Sequence, residues 1–306
     1  MVSNTGSARP RIGIFVPQFL PWDDYLAHAL QIESLGFDSL WLADHFVSPY
    51  DAALDWYECW TILAAIAART LRIRLGTGVT HTVYRNPAIL ARAAMTVDRI
   101  SNGRLDLGMG VGSAGTHNTA IVRNPPATAR ARVDHYAESV ALIDQLLCNE
   151  KTTFEGRYYQ VTDATIKPGP VQQPRPPFNL AGHHPRTLKI AAAYGQAWNS
   201  FYPGENLTPE QSSQATKERG EQLDQYALEA GRDPAQIGRT YFVGYSSDQP
   251  FASEEALIDF IGRYQEAGID EFVFGYVPGL EDNDFDGSWI MDEARLHYLA
   301  GELLPG

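Results

Sequence analysis

An aspartate and a histidine stand side by side at Asp44 and His45, directly after an apolar run. A carboxylate next to an imidazole can hold the ring in one tautomer and keep its pKa near neutrality. Such a ring can act as a general acid, as a general base or as a hydrogen-bond donor to a ring heteroatom. The same pair could instead cap the loop that follows, and the spacing alone leaves both interpretations open.

Glycine-rich segments follow two further apolar runs. The first contains Thr77, Gly78 and Val79, and the second contains Gly110 and Gly112. Glycines let a backbone bulge and approach a ligand closely, and a β-branched valine could support a flat ring, although the first segment also fits an ordinary turn. The second segment is a poor dinucleotide fingerprint because it has GxGxG spacing after a late strand, so close approach to an aromatic ligand explains it better.

A basic segment stands out in an otherwise acidic chain. It contains Gly182, His183, His184, Arg186 and Thr187, between a predicted strand and a predicted helix. Free amides at a helix N-terminus bind phosphate, and the basic side chains add positive charge. A solvated basic helix start is the alternative, but the strand-loop-helix context favours a phosphate site.

Strand-like and helical patterns alternate along almost the whole chain. Eight runs predict strands, at residues 11–16, 38–43, 72–77, 104–109, 177–181, 197–201, 239–245 and 271–275. Helical patterns lie between them, near residues 22–35, 57–70, 87–101, 127–149, 186–194, 208–231, 253–267 and 290–302.

This alternation predicts an α/β fold, a (β/α)8 TIM barrel, with a doubly wound open sheet as the alternative. We expect one domain over residues 1–306. An insertion with a short extended arm, near residues 150–177, should cross the top or flank of the barrel. Residues just after the strands of such a barrel form its catalytic face, so we expect Asp44, His45 and the glycine segments at one rim.

Composition limits the partners and the compartment. The 24 Lys and Arg against 37 Asp and Glu give a net charge of −13, which argues against nucleic acid and anionic membranes as partners. No signal peptide is recognisable and no apolar run reaches the ~20 residues of a membrane helix, so we expect a soluble, cytoplasmic protein. Cys59 and Cys148 lack metal-ligand spacing, and we expect two buried thiols and neither a disulfide nor a zinc site.

Six blocks of the sequence resemble the bacterial luciferase-like superfamily of flavin and deazaflavin oxidoreductases. They lie at residues 36–46, 74–79, 84–87, 98–105, 154–159 and 176–192, within about residues 11–201. The Asp-His-Phe sequence that begins at Asp44 is similar to the branch that uses coenzyme F420, an 8-hydroxy-5-deazaflavin. Flavin monooxygenases of the superfamily more often have a glutamate-histidine pair there.

The resemblance implies a cofactor site at these positions. Asp44 and His45 would face the deazaflavin ring, and the Gly78–Val79 peptide bond would be cis and bulge behind it. Residues 182–187 would hold the phosphate, and Arg85 would border the same cleft.

The resemblance also implies an F420-dependent oxidoreductase that transfers a hydride between reduced deazaflavin and a small organic substrate. His45 would donate or accept the proton, and Asp44 would orient it. The side chains expected to wall the substrate are Trp56, His81, Tyr84 and Phe201. A homodimer and a separate cofactor reductase are further expectations.

Two other functions stay open. One is a two-component monooxygenase that uses reduced FMN and dioxygen on the same barrel. The other is a cofactor-binding relative without catalysis, against which the intact Asp44–His45 pair weighs. Sugar-phosphate dehydrogenases of the F420 branch have a glutamate where this chain has Ser113, and luciferases have an arginine where it has Val111. We therefore expect a substrate other than glucose 6-phosphate.

Overall fold

The computed structural model describes residues 9–49, 51–112, 126, 128–201, 204–278 and 290–304. Its strands are β1 (Arg11–Phe15), β2 (Ser39–Asp44), β3 (Arg74–His81), β4 (Leu105–Gly110), β5 (Thr152–Glu155), β6 (Gln160–Ala164), β7 (Phe178–Ala181), β8 (Ala197–Ser200), β9 (Gly238–Phe242), β10 (Glu271–Tyr276) and β11 (Ile290–Met291). Its α-helices are α1 (Trp22–Ser34), α2 (Cys59–Ala67), α3 (Pro87–Ile100), α4 (Ala129–Cys148), α5 (Pro185–Tyr194), α6 (Pro209–Glu229), α7 (Glu254–Glu266) and α8 (Glu293–Leu303).

A parallel barrel forms the centre of the molecule. Its strands follow the order β1-β2-β3-β4-β7-β8-β9-β10, and β10 pairs with β1 to close the ring. In that closing pair, Arg11 lies opposite Glu271 and Phe15 lies opposite Gly275. The short β11 extends the sheet beside the end of β10. The predicted (β/α)8 barrel is confirmed, and the open-sheet alternative is wrong.

Local sequence sets the start of the two helices that follow β2 and β3. Helix α3 begins at Pro87, where a proline removes no intrahelical hydrogen bond, and the Asn86 side chain accepts from the amide of Ala88 at 2.9 Å. Helix α2 is capped by Glu58, whose carboxylate accepts from the amide of Thr61 at 2.7 Å. These caps fix where the chain leaves the C-terminal rim of the barrel.

A tryptophan fills the middle of the barrel. Trp41 is fully buried, and its Nε1 donates to Ser39 Oγ at 2.8 Å. A Cβ atom on Gly13 would stand 2.9 Å from the indole, and one on Gly76 would stand 2.2 Å from it. Glycines on the two strands that flank β2 therefore leave the space that the indole occupies.

A polar layer closes the barrel at the N-terminal ends of the strands. Glu271 is fully buried and accepts from Ser39 Oγ at 2.7 Å and from Arg11 Nη2 at 2.6 Å. Arg74 and Asp106 form a second ion pair in this layer at 2.6 Å. Burial raises the pKa of Glu271, and the charge of Arg11 opposes that rise. The opposite, C-terminal end of the barrel is left as its mouth.

The insertion lies on the flank of the barrel, where β5 and β6 form an antiparallel hairpin. Glu138 on α4 accepts the amides of residues 157–159 at distances of 3.0, 2.8 and 2.6 Å. Asp98 on α3 accepts the amides of Val171 and Gln172 at 2.7 and 3.0 Å. The predicted insertion is confirmed, and these contacts tie it to α3 and α4 instead of to the mouth.

Two expectations need correction. Strand β3 was predicted to end at residue 77 but continues to His81, because its pairing resumes after an irregularity. Cys59 is buried as expected, whereas Cys148 is exposed at the end of α4. Among the described residues, no helix combines the length and the apolar character needed to cross a bilayer.

Candidate active site

The C-terminal end of β3 carries a bulge. The pairing of β3 with β2 shifts between Thr77 and Thr80, where β3 has one residue more than its neighbour. The Gly78–Val79 peptide bond within the bulge is cis, as the family resemblance predicts. Both residues of that bond are partly exposed, while Thr77 and Thr80 are buried. The bulge thus presents its backbone to the mouth of the barrel.

Contacts within the chain account for other small or polar residues predicted to bind cofactor. Thr77 is fully buried, and its Oγ1 donates to the carbonyl oxygen of Gly108 at 2.7 Å. A Cβ atom on Gly110 would stand 2.7 Å from Cγ2 of Val79, and Gly112 has a φ of +80°. Val79 therefore lies against Gly110, and Gly112 adopts a backbone that favours glycine. A cofactor contact by these residues stays a prediction.

Asp44 binds Arg85 through two hydrogen bonds, with Nε to Oδ2 at 2.7 Å and Nη2 to Oδ1 at 2.6 Å. The Asp44 side chain is 6% exposed and that of Arg85 is 26% exposed. Arg85 also binds Glu58. Burial lowers the pKa of Arg85, but its bonds to the two carboxylates outweigh burial and raise that pKa. Asp44 therefore has a permanent cationic partner in Arg85. We infer that Asp44 acts on His45 through its negative charge.

The imidazole of His45 lies mostly buried beside Asp44. Burial lowers the pKa of His45 below its ordinary value of 6.5, and the Asp44 charge opposes that shift without cancelling it. The backbone oxygen of His45 accepts from Trp56 Nε1 at 3.1 Å. His45 is therefore uncharged at neutral pH and able to accept a proton.

Three of the predicted substrate-wall residues lie around His45. The rings of His45 and His81 have centroids 4.9 Å apart and are nearly perpendicular, at 83°. The Trp56 ring lies 6.4 Å from His45, and the Tyr84 ring lies 5.1 Å from His81. His81 is only 9% exposed, and burial lowers its pKa to about 3. The structure therefore brings two uncharged imidazoles and two aromatic rings together on this side of the mouth.

An apolar cluster forms the floor beneath the mouth. Its members are Trp41, Phe242 and Val273, with Phe15 and Phe201 packed against them. The rings of Trp41 and Phe242 meet edge to face at 5.3 Å. A Cβ atom on Gly78 would stand 2.5 Å from Phe242, so the bulge of β3 rests on this floor.

A second aromatic group lies after β7, β8 and β9. The ring of His183 meets that of Phe201 at 4.4 Å, and Phe201 meets Tyr245 at 5.0 Å. Both ring nitrogens of His183 are buried and lack a hydrogen-bond partner among the described residues. Burial lowers the pKa of His183 to about 3. Phe201 thus packs against His183 of the predicted phosphate segment, and its place in the substrate wall stays a prediction.

Some of the groups predicted to bind phosphate at the start of α5 already have partners within the chain. Thr187 Oγ1 accepts from the amides of His183 and His184, both at 3.2 Å, and donates to the carbonyl oxygen of His184 at 2.9 Å. The guanidinium of Arg186, half exposed, pairs with Asp134 on α4. A phosphate site here stays a prediction, and it has to draw on the imidazoles or on a released Arg186.

Sequence reasoning missed Glu58, Phe242 and Tyr245. Glu58 carried one usable signal, because its side chain can cap a helix, but the predicted helix at residues 57–70 placed Glu58 inside the helix instead of at its N-cap. The two aromatic residues carried none, because their place at the floor and in the second aromatic group depends on contacts between distant strands. Ser113, which bears on the substrate, lies outside the described residues.

A parallel (β/α)8 barrel with its polar and aromatic residues at the C-terminal mouth has the arrangement of TIM-barrel enzymes. The sequence model of the luciferase-like monooxygenases matches residues 6–292. The chain therefore belongs to the luciferase-like monooxygenase family.

Individual relatives agree with that assignment. The chain is 37% identical over 231 residues to an F420-dependent glucose-6-phosphate dehydrogenase of Kineococcus radiotolerans, covering 72% of this chain and 63% of that relative. It is 28% identical over 264 residues to a 5,10-methylenetetrahydromethanopterin reductase of Methanolobus tindarius, covering 84% and 72% of the two chains. The chain thus spans less than two thirds of the length of the first relative.

The fold also matches a solved structure. An F420-dependent secondary alcohol dehydrogenase, in complex with an F420-acetone adduct, superposes with a TM-score of 0.79 at 21% identity. The match covers 97% of this chain and 99% of the other. At that identity, the likeness supports the barrel architecture.

Proposed function

We infer that the protein is an F420-dependent oxidoreductase that acts on a small organic substrate. The observation that carries this proposal is the uncharged His45 imidazole in the mouth that also contains the partly exposed Gly78–Val79 bulge. The F420-dependent relatives support the cofactor, and the family resemblance supports the placement of Asp44 and His45 near its ring.

The residues of the mouth fit a flat ring that bears a phosphate tail. The partly exposed backbone of Gly78 and Val79 rests on the apolar floor and offers a surface for one face of a ring. His183 has two buried nitrogens without partners, and buried polar atoms generally need one. A neutral imidazole keeps one N–H, which can donate to a phosphate oxygen. Gly182 and Thr187 shape the backbone beside it, since a Cβ atom on Gly182 would stand 2.9 Å from the Thr187 carbonyl carbon.

The bound cofactor would supply a carbon centre that gives or takes a hydride. His45 would take the proton of a substrate hydroxyl as the hydride leaves the carbon, and would return that proton in the reverse reaction. Asp44 favours the protonated imidazole through its charge. Trp56 and Tyr84 would line the substrate side of the mouth and exclude water from it.

We also propose that the chain is one domain, works in the cytoplasm and forms a homodimer. The family resemblance supports the homodimer, and the single closed barrel supports one domain. A separate reductase for the cofactor belongs to the same set of proposals.

A monooxygenase that uses reduced FMN is the second candidate. The family name favours it, since the matching family is that of luciferase-like monooxygenases. The two functions differ in kind, because a carbon replaces the reactive flavin nitrogen in a deazaflavin and disfavours oxygen chemistry.

Parallel fluorescence titrations with F420 and FMN test the proposal. We expect F420 to bind at least tenfold more tightly, a difference of roughly 1.4 kcal/mol. Equal affinities, or a preference for FMN, would reject the F420 assignment and favour the monooxygenase.

A further inference from the structure

Two imidazoles meet at the mouth of the barrel, and the proposed mechanism uses only His45. His81 lies on β3, three residues beyond Gly78, and its ring stands 4.9 Å from that of His45. Its Nδ1 atom is buried and has no hydrogen-bond partner among the described residues. A side chain that is nine-tenths buried with an unpaired nitrogen calls for an explanation, since such atoms are generally satisfied.

The two imidazoles are both neutral at pH 7. Burial lowers the pKa of each ring, and a charge on His45 would lower that of His81 further. A neutral imidazole offers one donor and one acceptor. Two such rings at right angles can therefore donate to one oxygen atom and accept a proton from the same atom, which matches a hydroxyl group.

Fixed charges near His45 disfavour an anionic substrate. The two carboxylates of Asp44 and Glu58 face the single guanidinium of Arg85, so this group carries one net negative charge. Arg85 is committed to both carboxylates and cannot also bind a phosphate or carboxylate of the substrate without giving up a bond. The carboxylate of Asp44 is a fixed charge that acts on the His45 imidazole, and it would also repel an anionic group bound there.

We propose that His81 and His45 together bind the reacting oxygen of an uncharged alcohol or ketone, and that His81 is a specificity-determining residue of the site. The proposal rests on the proposed function, because it names the substrate class of that site. It assigns His81 a direct contact with the substrate oxygen, beyond the packing role of a wall residue.

Binding to the protein loaded with oxidised F420 tests this contact without turnover. A ketone and the oxidised cofactor form a dead-end complex, since neither holds a hydride to give. Cyclohexanone is titrated calorimetrically into wild type, His81→Phe and His135→Phe. The phenylalanine at position 81 keeps a ring and removes both nitrogens. His135 stacks on Tyr158 of the flank hairpin, so its variant is the matched control.

We expect His81→Phe to weaken cyclohexanone binding about tenfold, the effect of one lost hydrogen bond, while F420 affinity stays within about twofold. His135→Phe should bind both ligands like wild type. With wild type, the anionic analogue 4-oxocyclohexane-1-carboxylate should bind at least about tenfold more weakly than cyclohexanone, because it meets net negative charge.

Unchanged cyclohexanone affinity in His81→Phe overturns the contact, and equal affinity for the carboxylate overturns the substrate class. Absence of cyclohexanone binding to wild type overturns both. If His81→Phe fails to fold or to bind F420, His81→Gln restores polar atoms at the position and should recover ketone binding. Loss of F420 binding in both variants makes His81 a structural residue and rejects the proposal.

The wild-type F420 titration distinguishes a failure of the proposed function from a failure of the role of His81. If wild type binds no F420, the proposed function fails, and the ketone titrations on the FMN-loaded protein then decide the role of His81. If wild type binds F420 but His81→Phe still binds cyclohexanone normally, only the role of His81 fails.

Discussion

The carboxylate of Asp44 and the guanidinium of Arg85 face each other through two parallel hydrogen bonds of 2.6 and 2.7 Å. This pair joins the end of β2 to the segment between β3 and α3. The added bond from Arg85 to Glu58 brings in the N-cap residue of α2. The Asp44 carboxylate is nearly inaccessible, so its charge depends on Arg85 for compensation.

Replacing Arg85 by methionine should destabilise the protein by about 2–4 kcal/mol, because a buried carboxylate loses its partner. The double variant Asp44→Asn with Arg85→Met should recover part of that loss. Urea unfolding of wild type and of both variants measures these changes in the free energy of unfolding. The matched control is Arg186→Gln, whose half-exposed ion pair with Asp134 should contribute less than about 1 kcal/mol. Equal losses in Arg85→Met and Arg186→Gln would contradict the role of Asp44 burial.

Replacing His45 by asparagine should lower kcat by about 10²-fold or more while F420 affinity is largely kept. The reason is that the amide cannot exchange a proton with the substrate oxygen. Single-turnover hydride transfer, followed by deazaflavin absorbance, avoids masking by product release. Asp44→Asn should have a smaller effect. An unchanged rate in His45→Asn would leave His45 a binding residue at most.

The rate of alcohol oxidation should decline only below pH 6.5. Burial lowers the pKa of His45, so the neutral ring that accepts the proton persists to more acidic pH than an exposed histidine would allow. Asp44→Asn removes the charge that raises this pKa and should move the acid limb to still lower pH. The profile of the single-turnover rate from pH 5 to 8 measures both. An acid limb above pH 6.5, or a shift upward in Asp44→Asn, would contradict the assignment.

Replacing Arg186 by glutamate should weaken F420 binding about tenfold, because a charge-assisted contact becomes a repulsion. This expectation requires Arg186 to leave Asp134 when the phosphate arrives. The deazaflavin riboside without phosphate is the matched ligand and should bind the variant like wild type. Asp134→Asn releases Arg186 and should not weaken F420 binding. F420 affinity unaffected by Arg186→Glu would restrict Arg186 to its pairing with α4.

Stability should fall as the pH drops from 6.5 toward 3. The pKa of His81 is about 3 in the folded protein, whereas the unfolded chain binds this proton near pH 6.5. Protonation of His81 in the unfolded chain should therefore lower the free energy of unfolding by about 2 kcal/mol at pH 5 compared with pH 7. His81→Phe lacks the titrating group, so its urea midpoint should change less between these pH values. An equal change in wild type and variant would refute the assignment to His81.

Much of the barrel could be predicted from sequence because periodicity and helix caps are local. The helix that begins at Pro87 with the Asn86 cap is one example. The end of β3 could not be predicted, because the strand resumes its pairing after the bulge. That continuation depends on hydrogen bonds to β2 and β4, which no local pattern records.

Part of the candidate site could also be predicted from the sequence, and part could not. The adjacency of Asp44 and His45 is visible in the sequence, as is the cis bond implied by the family resemblance. The commitment of Arg85 to two carboxylates is not visible, since it joins three segments that are distant along the chain. The contact of Phe201 with His183 is not visible in the sequence either, because the direction of a side chain at the rim depends on the strand beside it.

The fit of Trp41 between Gly13 and Gly76 constrains how this barrel can evolve. An alanine at position 76 would collide with the indole, and a smaller residue at position 41 would open a cavity that costs about 3–5 kcal/mol. Viable exchanges at these positions must therefore arrive together, as paired substitutions that conserve the shared volume. Divergence in the lineage should accordingly concentrate in the loops around the mouth, where a new substrate preference can be acquired one residue at a time.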